Sequence, residues 1–150
     1  MKKFKFKLEG LLKIRKFREQ TIKAELGEIV SQMNGVDDKI AQLSHHISQG
    51  YESQEMVLRD ATTGGNIQFY PQYIEAHQAN IILLQERKVV LEKEYQLKVA
   101  EMAIAMGDLK VVRKFKEKEY NDFKKDMQKL EMKNIDDMVI MRNIFNGVEG

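Results

Sequence analysis

The chain has 150 residues, of which 32% are charged and 43% are apolar, with a formal net charge of +2 and a mean hydropathy of -0.49. This balance favours an elongated helical structure over a compact globular core. Because the sequence has no cysteine, it excludes disulfides, thiolate metal sites and cysteine nucleophiles.

The first predicted helix covers residues 6–58. The basic N-terminal stretch of the chain, residues 1–18, has no apolar run long enough for a signal peptide, so we expect neither general secretion nor a membrane span. Apolar residues then follow a four-three alternation typical of a coiled-coil seam. The eight seam residues are Ile22, Leu26, Ile29, Met33, Val36, Ile40, Leu43 and Ile47.

A loop is predicted over residues 59–71. Thr62, Thr63, Gly64, Gly65 and Asn66 favour turns, and the only proline, Pro71, suits the first turn of a new helix. A chain folded back about Gly65 would bring together residues whose numbers sum to about 130. We therefore expect Ile40 to lie near Leu91 and Met33 near Val99.

The second predicted helix covers residues 72–145. Its seam runs from Ile74 to Tyr95, takes an extra step of four to Val99, and continues through Met106. Such a stutter locally unwinds a supercoil. The sequence thus predicts an all-α fold, a single elongated domain over 1–150 formed by an antiparallel two-helix coiled-coil hairpin with a longer, overhanging C-terminal helix.

The overhang is expected after about Phe123, where the second helix has no intramolecular partner. Met127, Leu130, Met138, Met141 and Ile144 keep an apolar stripe there, which a partner or a second copy should cover. The alternative is a frayed end that tolerates exposure. Basic residues crowd both chain termini, and acidic residues surround the loop. Because acidic side chains interrupt the basic stretches, we expect a solvated helix face and no nucleic-acid binding.

Residue patterns for catalysis are lacking. His45 and His46 point in different directions on a helix, His77 stands alone on the seam, and no zinc spacing accompanies them. Gly64 and Gly65 do not form a phosphate-binding loop. We therefore expect no enzyme activity, no metal and no cofactor.

The terminal segments resemble those of the flagellar FliJ family. Residues 6–19 place phenylalanine, leucine, a leucine pair, arginine and glutamate in the family's order, and residues 116–137 resemble its lysine- and glutamate-rich second helix. The resemblance implies a cytoplasmic, stalk-like coiled coil of the flagellar type III protein export apparatus. It would bind the hexameric export ATPase, promote ring assembly and activity, and link the ring to the export gate. It would be peripheral to the membrane only through its partners in the flagellar basal body, with export chaperones as further candidate partners.

The same resemblance suggests two sets of binding residues. The ATPase-facing set is Leu8, Leu12, Arg15, Phe123, Met127, Leu130 and Glu131. The gate-facing set, beside the hairpin loop, is Ile47, Tyr51, Tyr73 and His77, although His77 departs from the apolar residue of other members. Alternatively, Ile47 and His77 only close the seam and Tyr51 and Tyr73 alone are exposed. Two other functions stay open: an injectisome stalk protein, and a generic structural or chaperone-like coiled coil.

Overall fold

The computed structural model describes residues 2–60 and 69–149, and these form two long helices and no strand. Helix α1 is Glu9–Arg59 and helix α2 is Phe69–Glu149. The predicted all-α fold of two helices packed against each other is confirmed. The predicted turn residues 62–66 lie outside the described residues.

The helix bounds differ from the prediction by a few residues at each end. Helix α1 begins at Glu9, after residues 2–6, which have no regular secondary structure, and a turn at residues 7–8; a hydrogen bond from the Leu12 N–H to the Leu8 carbonyl, 2.9 Å, joins this turn to the helix. Pro71 is the third residue of α2, in its first turn as expected. With 81 residues against 51, α2 is the longer helix.

The chain divides into two compact units. The terminal unit combines Met1–Glu19 with Ile104–Gly150, and the middle unit is Gln20–Ala103. In each unit a segment of α1 packs against a segment of α2. Among the described residues, neither helix includes a stretch that is both long and apolar enough to cross a membrane.

The predicted seam of α1 is confirmed in the middle unit. Ile22 is buried, the other seven seam residues are half-buried, and most residues between them are exposed. Opposite them, α2 buries Ile74 and Leu91. Leu91 is 0% exposed, so this seam contains the most completely enclosed side chain described.

The stutter predicted at Tyr95 is wrong. A regular step of three residues from Tyr95 leads to Lys98, which is half-buried, whereas the predicted Val99 is exposed. In the terminal unit the same alternation continues with Ala105, which is 1% exposed, and not with the predicted Met106. The prediction chose the larger apolar side chain at each step. The structure instead encloses the small alanine, and the long Lys98 stem lies on the seam while its ammonium reaches Glu25.

The helix register also differs from the prediction. In the middle unit, Lys88 pairs with Asp37 at 2.7 Å and Lys98 pairs with Glu25, so paired residue numbers sum to about 124. In this register Met33 lies level with Leu91, and Ile40 does not. The prediction centred the pairing on the glycine pair of the loop, whereas the regular seams of α1 and α2 determine which residues face each other.

Candidate partner-binding surfaces

Aromatic rings anchor the N-terminal segment of the terminal unit to α2. The Phe4 ring lies 5.3 Å from Tyr120 and 5.5 Å from Phe123, and Phe6, 8% exposed, lies 5.9 Å from Phe115. These ring contacts place both Phe4 and Phe6 against α2, while the lysines that alternate with them are exposed.

Polar contacts continue this packing into α1. The Arg15 guanidinium donates to the Asp108 carbonyl oxygen at 2.8 Å, and Arg18 lies 3.8 Å from the Asp108 carboxylate. The Lys116 ammonium pairs with Glu9 at 2.9 Å and lies 5.9 Å from the centre of the Phe6 ring. These contacts fix the start of α1 beside the 108–116 segment of α2.

All seven predicted ATPase-facing residues belong to the terminal unit, but they differ in accessibility. Leu8 is 40% exposed, Leu130 is 49% exposed and Glu131 is exposed. Leu12, Arg15, Phe123 and Met127 are half-buried; of these, Arg15 is held by Asp108 and Phe123 by Phe4. The first three are free for a partner, whereas Arg15 and Phe123 already have contacts within the chain.

The end of α2 has a large exposed apolar surface. Every residue from 128 to 147 is exposed. Seven of its large apolar side chains are at least half exposed beyond residue 134: Ile135, Met138, Val139, Ile140, Met141, Ile144 and Phe145. At about 100° per residue, they cover roughly 260° of the helix circumference. One flat surface could not cover them all.

Charge is divided unequally between the two units. The terminal unit's ranges hold 18 basic and 11 acidic residues, a net charge of +7, whereas the middle unit holds 7 and 12, a net charge of -5. The overall charge of +2 therefore conceals two units of opposite sign. Each should favour a partner surface of opposite charge.

Aromatic and histidine rings form a cluster at the start of α2 in the middle unit. Tyr73 stacks on Phe69 at 5.8 Å and lies 4.2 Å from His77, whose ring is 5.7 Å from His46 on α1. The Nδ1 atom of His77 is buried with no hydrogen-bond partner among the described residues. Such an atom carries a desolvation cost of about 1–3 kcal/mol.

Three of the four predicted gate-facing residues are half-buried: Ile47, Tyr73 and His77. Tyr51 is 53% exposed and lines an open groove of about 480 Å³ with Pro71, Ile74 and Glu75. The alternative, in which both Tyr51 and Tyr73 are exposed, is wrong for Tyr73 because its ring packs between Phe69 and His77.

Several contact residues were not predicted. The alternation Lys3-Phe4-Lys5-Phe6-Lys7 is the period-two signal of an extended segment and could have identified Phe4 and Phe6. His46 can be identified as a contact residue from the observed helix register, which places it level with His77. Gly50 has no comparable signal: a Cβ there would lie 3.2 Å from Ile74 Cγ1 and 3.4 Å from the Tyr73 ring.

Comparison with known proteins identifies one family. The family model described as "Flagellar FliJ protein" matches residues 4–147. No curated protein and no solved structure matches the chain. The matched residues include both the anchored N-terminal segment and the exposed end of α2.

Proposed function

This chain belongs to the flagellar FliJ family of coiled-coil proteins associated with type III export, and we propose that it binds the hexameric export ATPase through its terminal unit. In this proposal it promotes assembly and activity of the ATPase ring and links the ring to the export gate. It does so in the cytoplasm, peripheral to the membrane through its partners, without catalysing a reaction itself.

The exposed end of α2 is the observation that carries the proposal. Seven large apolar side chains in the 135–145 segment are at least half exposed, on a unit with a net charge of +7. Leaving such a surface in water costs free energy in proportion to its apolar area. Because the apolar directions surround most of the helix, a partner that encloses the helix covers them better than a flat one. The central opening of a ring is such a partner.

Accessibility divides the predicted ATPase-facing residues into two roles. Leu8, Leu130 and Glu131 are exposed and can contact the ring directly. Arg15 and Phe123 hold the N-terminal segment and α1 against α2, so we assign them to positioning. Leu12 and Met127 are both half-buried. In this proposal they contribute to packing within the unit and become further buried when the ATPase binds.

A matched pair of substitutions tests ATPase binding. Leu130→Glu places a charge in the exposed end of α2, and Val111→Glu places the same charge on α2 of the same unit before Phe123; both side chains are exposed, 49% and 65%. We expect Leu130→Glu to abolish binding to the purified ATPase and stimulation of its hydrolysis, with Val111→Glu unaffected. Wild-type protein that neither binds nor stimulates the ATPase would refute the proposal.

The middle unit supplies the proposed contact with the cytoplasmic domain of the export gate. Tyr51 is exposed beside a groove that Ile74 also lines, and in the same unit the Tyr73 ring packs against His77. We expect Tyr51→Ala to weaken binding to the immobilised gate domain by about tenfold, as loss of one aromatic anchor commonly does. Met56→Ala, at a side chain 64% exposed, is the control and should bind normally.

A further inference from the structure

Two of the seven asparagines in the chain are followed by glycine: Asn34–Gly35 in α1 and Asn146–Gly147 in α2. Asparagine is among the chemically labile side chains of proteins. Glycine after it favours the reaction, because without a Cβ the glycine nitrogen can approach the side-chain carbonyl carbon. Both dipeptides are therefore chemically able to lose ammonia, and their surroundings decide which of them does.

This reaction is an intramolecular attack that needs no cofactor. The backbone nitrogen of the glycine attacks Cγ of the asparagine, so that an N–Cγ bond forms and the Cγ–Nδ2 bond breaks. The leaving amide nitrogen takes up the proton released by the glycine N–H and departs as ammonia. Water then opens the cyclic succinimide at one of its two carbonyl groups and gives aspartate or isoaspartate. Water is the only co-reactant.

An intact α-helix opposes the attack. Its backbone directs each N–H along the helix, toward the carbonyl four residues earlier, and not toward the preceding side chain. Deamidation of a helical asparagine therefore requires local opening of the helix, and its rate follows the population of the open state. Two chemically equal dipeptides in one chain thus react at rates set by their local stability.

The first dipeptide lies where α1 is fixed to α2. Met33 and Val36, on either side of it, are half-buried in the seam. Asp37 pairs with Lys88 of α2 at 2.7 Å. Opening α1 at this point would break seam packing as well as main-chain hydrogen bonds. Asn34 should therefore be protected, although its own side chain is exposed.

The second dipeptide lies near the end of α2, whose last residue is Glu149. Every residue from 128 to 147 is exposed, and a Cβ at Gly147 would meet nothing within 4 Å. The last carbonyl groups of a helix have no partners within the helix, and helix ends open most readily. Opening at this point disturbs no seam packing among the described residues.

We propose that Asn146 is a site of selective, spontaneous deamidation and that Asn34 is not. The product has a carboxylate beside Phe145, in the apolar end of α2, where the chain had a neutral amide. Its isoaspartate form also adds a methylene group to the main chain, which interrupts the helix. The modification is a property of the free chain, so this proposal and the proposed ATPase binding can fail separately.

Peptide mapping by mass spectrometry after incubation in slightly alkaline buffer tests the proposal. We expect Asn146 to lose its amide at least about tenfold faster than Asn34, which a difference in opening free energy of about 1.4 kcal/mol suffices to produce. Asn143 lies in the same exposed end but precedes Ile144, whose branched Cβ hinders attack, and should stay intact.

Incubation in concentrated urea removes the helices and is the control for the chemistry. There, Asn34 and Asn146 should react at similar rates. Equal rates at the two sites in native buffer would overturn the proposal, because structure would then select neither. Reaction of Asn146 in urea alone would overturn it as well, because the end of α2 would then protect the dipeptide.

A matched pair of glycine substitutions completes the test. Alanine fits at both positions, because a Cβ at Gly35 or Gly147 would meet nothing within 4 Å, and alanine favours the helix. Gly147→Ala should slow the loss of the Asn146 amide several-fold, whereas Gly35→Ala should leave it unchanged. A Gly147→Ala variant that reacts at Asn146 as fast as wild type would refute attack by the Gly147 nitrogen.

Discussion

The imidazole rings of His46 and His77 face each other from α1 and α2 of the middle unit, with centroids 5.7 Å apart. Tyr73 closes one side of the pair at 4.2 Å from His77, and His77 Nδ1 is left buried without a partner among the described residues. Polar rings thus occupy a seam position that aliphatic side chains could fill without the desolvation cost of a buried nitrogen. A buried polar atom of this kind favours a functional reason for the residue over a stabilising one.

His77→Leu should therefore stabilise the fold. Removing an unsatisfied buried nitrogen is expected to raise the free energy of unfolding by about 1 kcal/mol. His45→Leu, at the exposed neighbour of His46, is the control and should change it by less than about 0.5 kcal/mol. Urea titration followed by circular dichroism measures both. Destabilisation by His77→Leu would show that the imidazole makes a net favourable contact.

Two glycine substitutions in α1 should have opposite effects on stability. At Gly27, where a Cβ would meet nothing within 4 Å, alanine should stabilise the helix by about 1 kcal/mol. At Gly50, the new Cβ would approach Ile74 Cγ1 at 3.2 Å, and Ile74 is only 4% exposed. Gly50→Ala should therefore lower the melting temperature while Gly27→Ala raises it. Equal gains in thermal melts would contradict the close approach at Gly50.

Leucine truncation should have very different effects at the buried seam and at the exposed face of α2. Leu91 is 0% exposed, so Leu91→Ala should destabilise the protein by about 3 kcal/mol through lost burial and a cavity. Leu97 is 67% exposed, and Leu97→Ala should cost less than about 0.5 kcal/mol. Urea denaturation of both variants provides the comparison. Similar losses of stability would mean that Leu97 is buried in the monomer.

Alkaline pH should weaken the middle unit through two lysines. Hydrogen bonds to Asp37 and Glu25 raise the pKa of Lys88 and of Lys98, respectively, above the ordinary value of 10.5. Because the folded-state pKa values are raised, this stabilisation is complete below pH 10.5 and is lost as the pH rises through them.

Arginine keeps its charge throughout this range. The variant carrying Lys88→Arg and Lys98→Arg should thus lose less thermal stability than wild type between about pH 9 and pH 11.5. Lys93→Arg is the control, because Lys93 has no ion-pair partner among the described residues; it should behave like wild type. Identical pH dependence in all three proteins would argue against a contribution from these ion pairs.

Sequence patterns predicted the helices and the α1 seam because each of its eight positions holds a large apolar residue. They failed at single positions of α2, where half-buried Lys98 and buried Ala105 take the places predicted for Val99 and Met106. Burial there depends on the partner helix, which local periodicity does not describe. The predicted helix register was wrong for a related reason. Turn residues indicate where a chain can reverse direction, but packing of the two seams determines which residues of α1 and α2 face each other.

The candidate surfaces were partly predictable. Exposure of Leu130 followed from the difference in helix lengths, which the position of Pro71 already indicated. The anchoring of Phe6 was missed because residues 6–8 were assigned to the helix, where side chains two apart point in different directions. The sequence does not identify Gly50 as a contact position, because only its distance to Ile74 distinguishes it from Gly27.

The exposed end of α2 also has a thermodynamic consequence. Residues 128–147 have no neighbouring helix within the described structure, so main-chain hydrogen bonds and intrinsic propensity alone hold them helical. Most helical stability in proteins comes from tertiary packing, so a helical segment without it is only marginally stable in water. Helix content in this segment should therefore rise with partner concentration and fall gradually on warming. Its affinity for a partner would then depend on temperature through the cost of helix formation as well as through the contacts made.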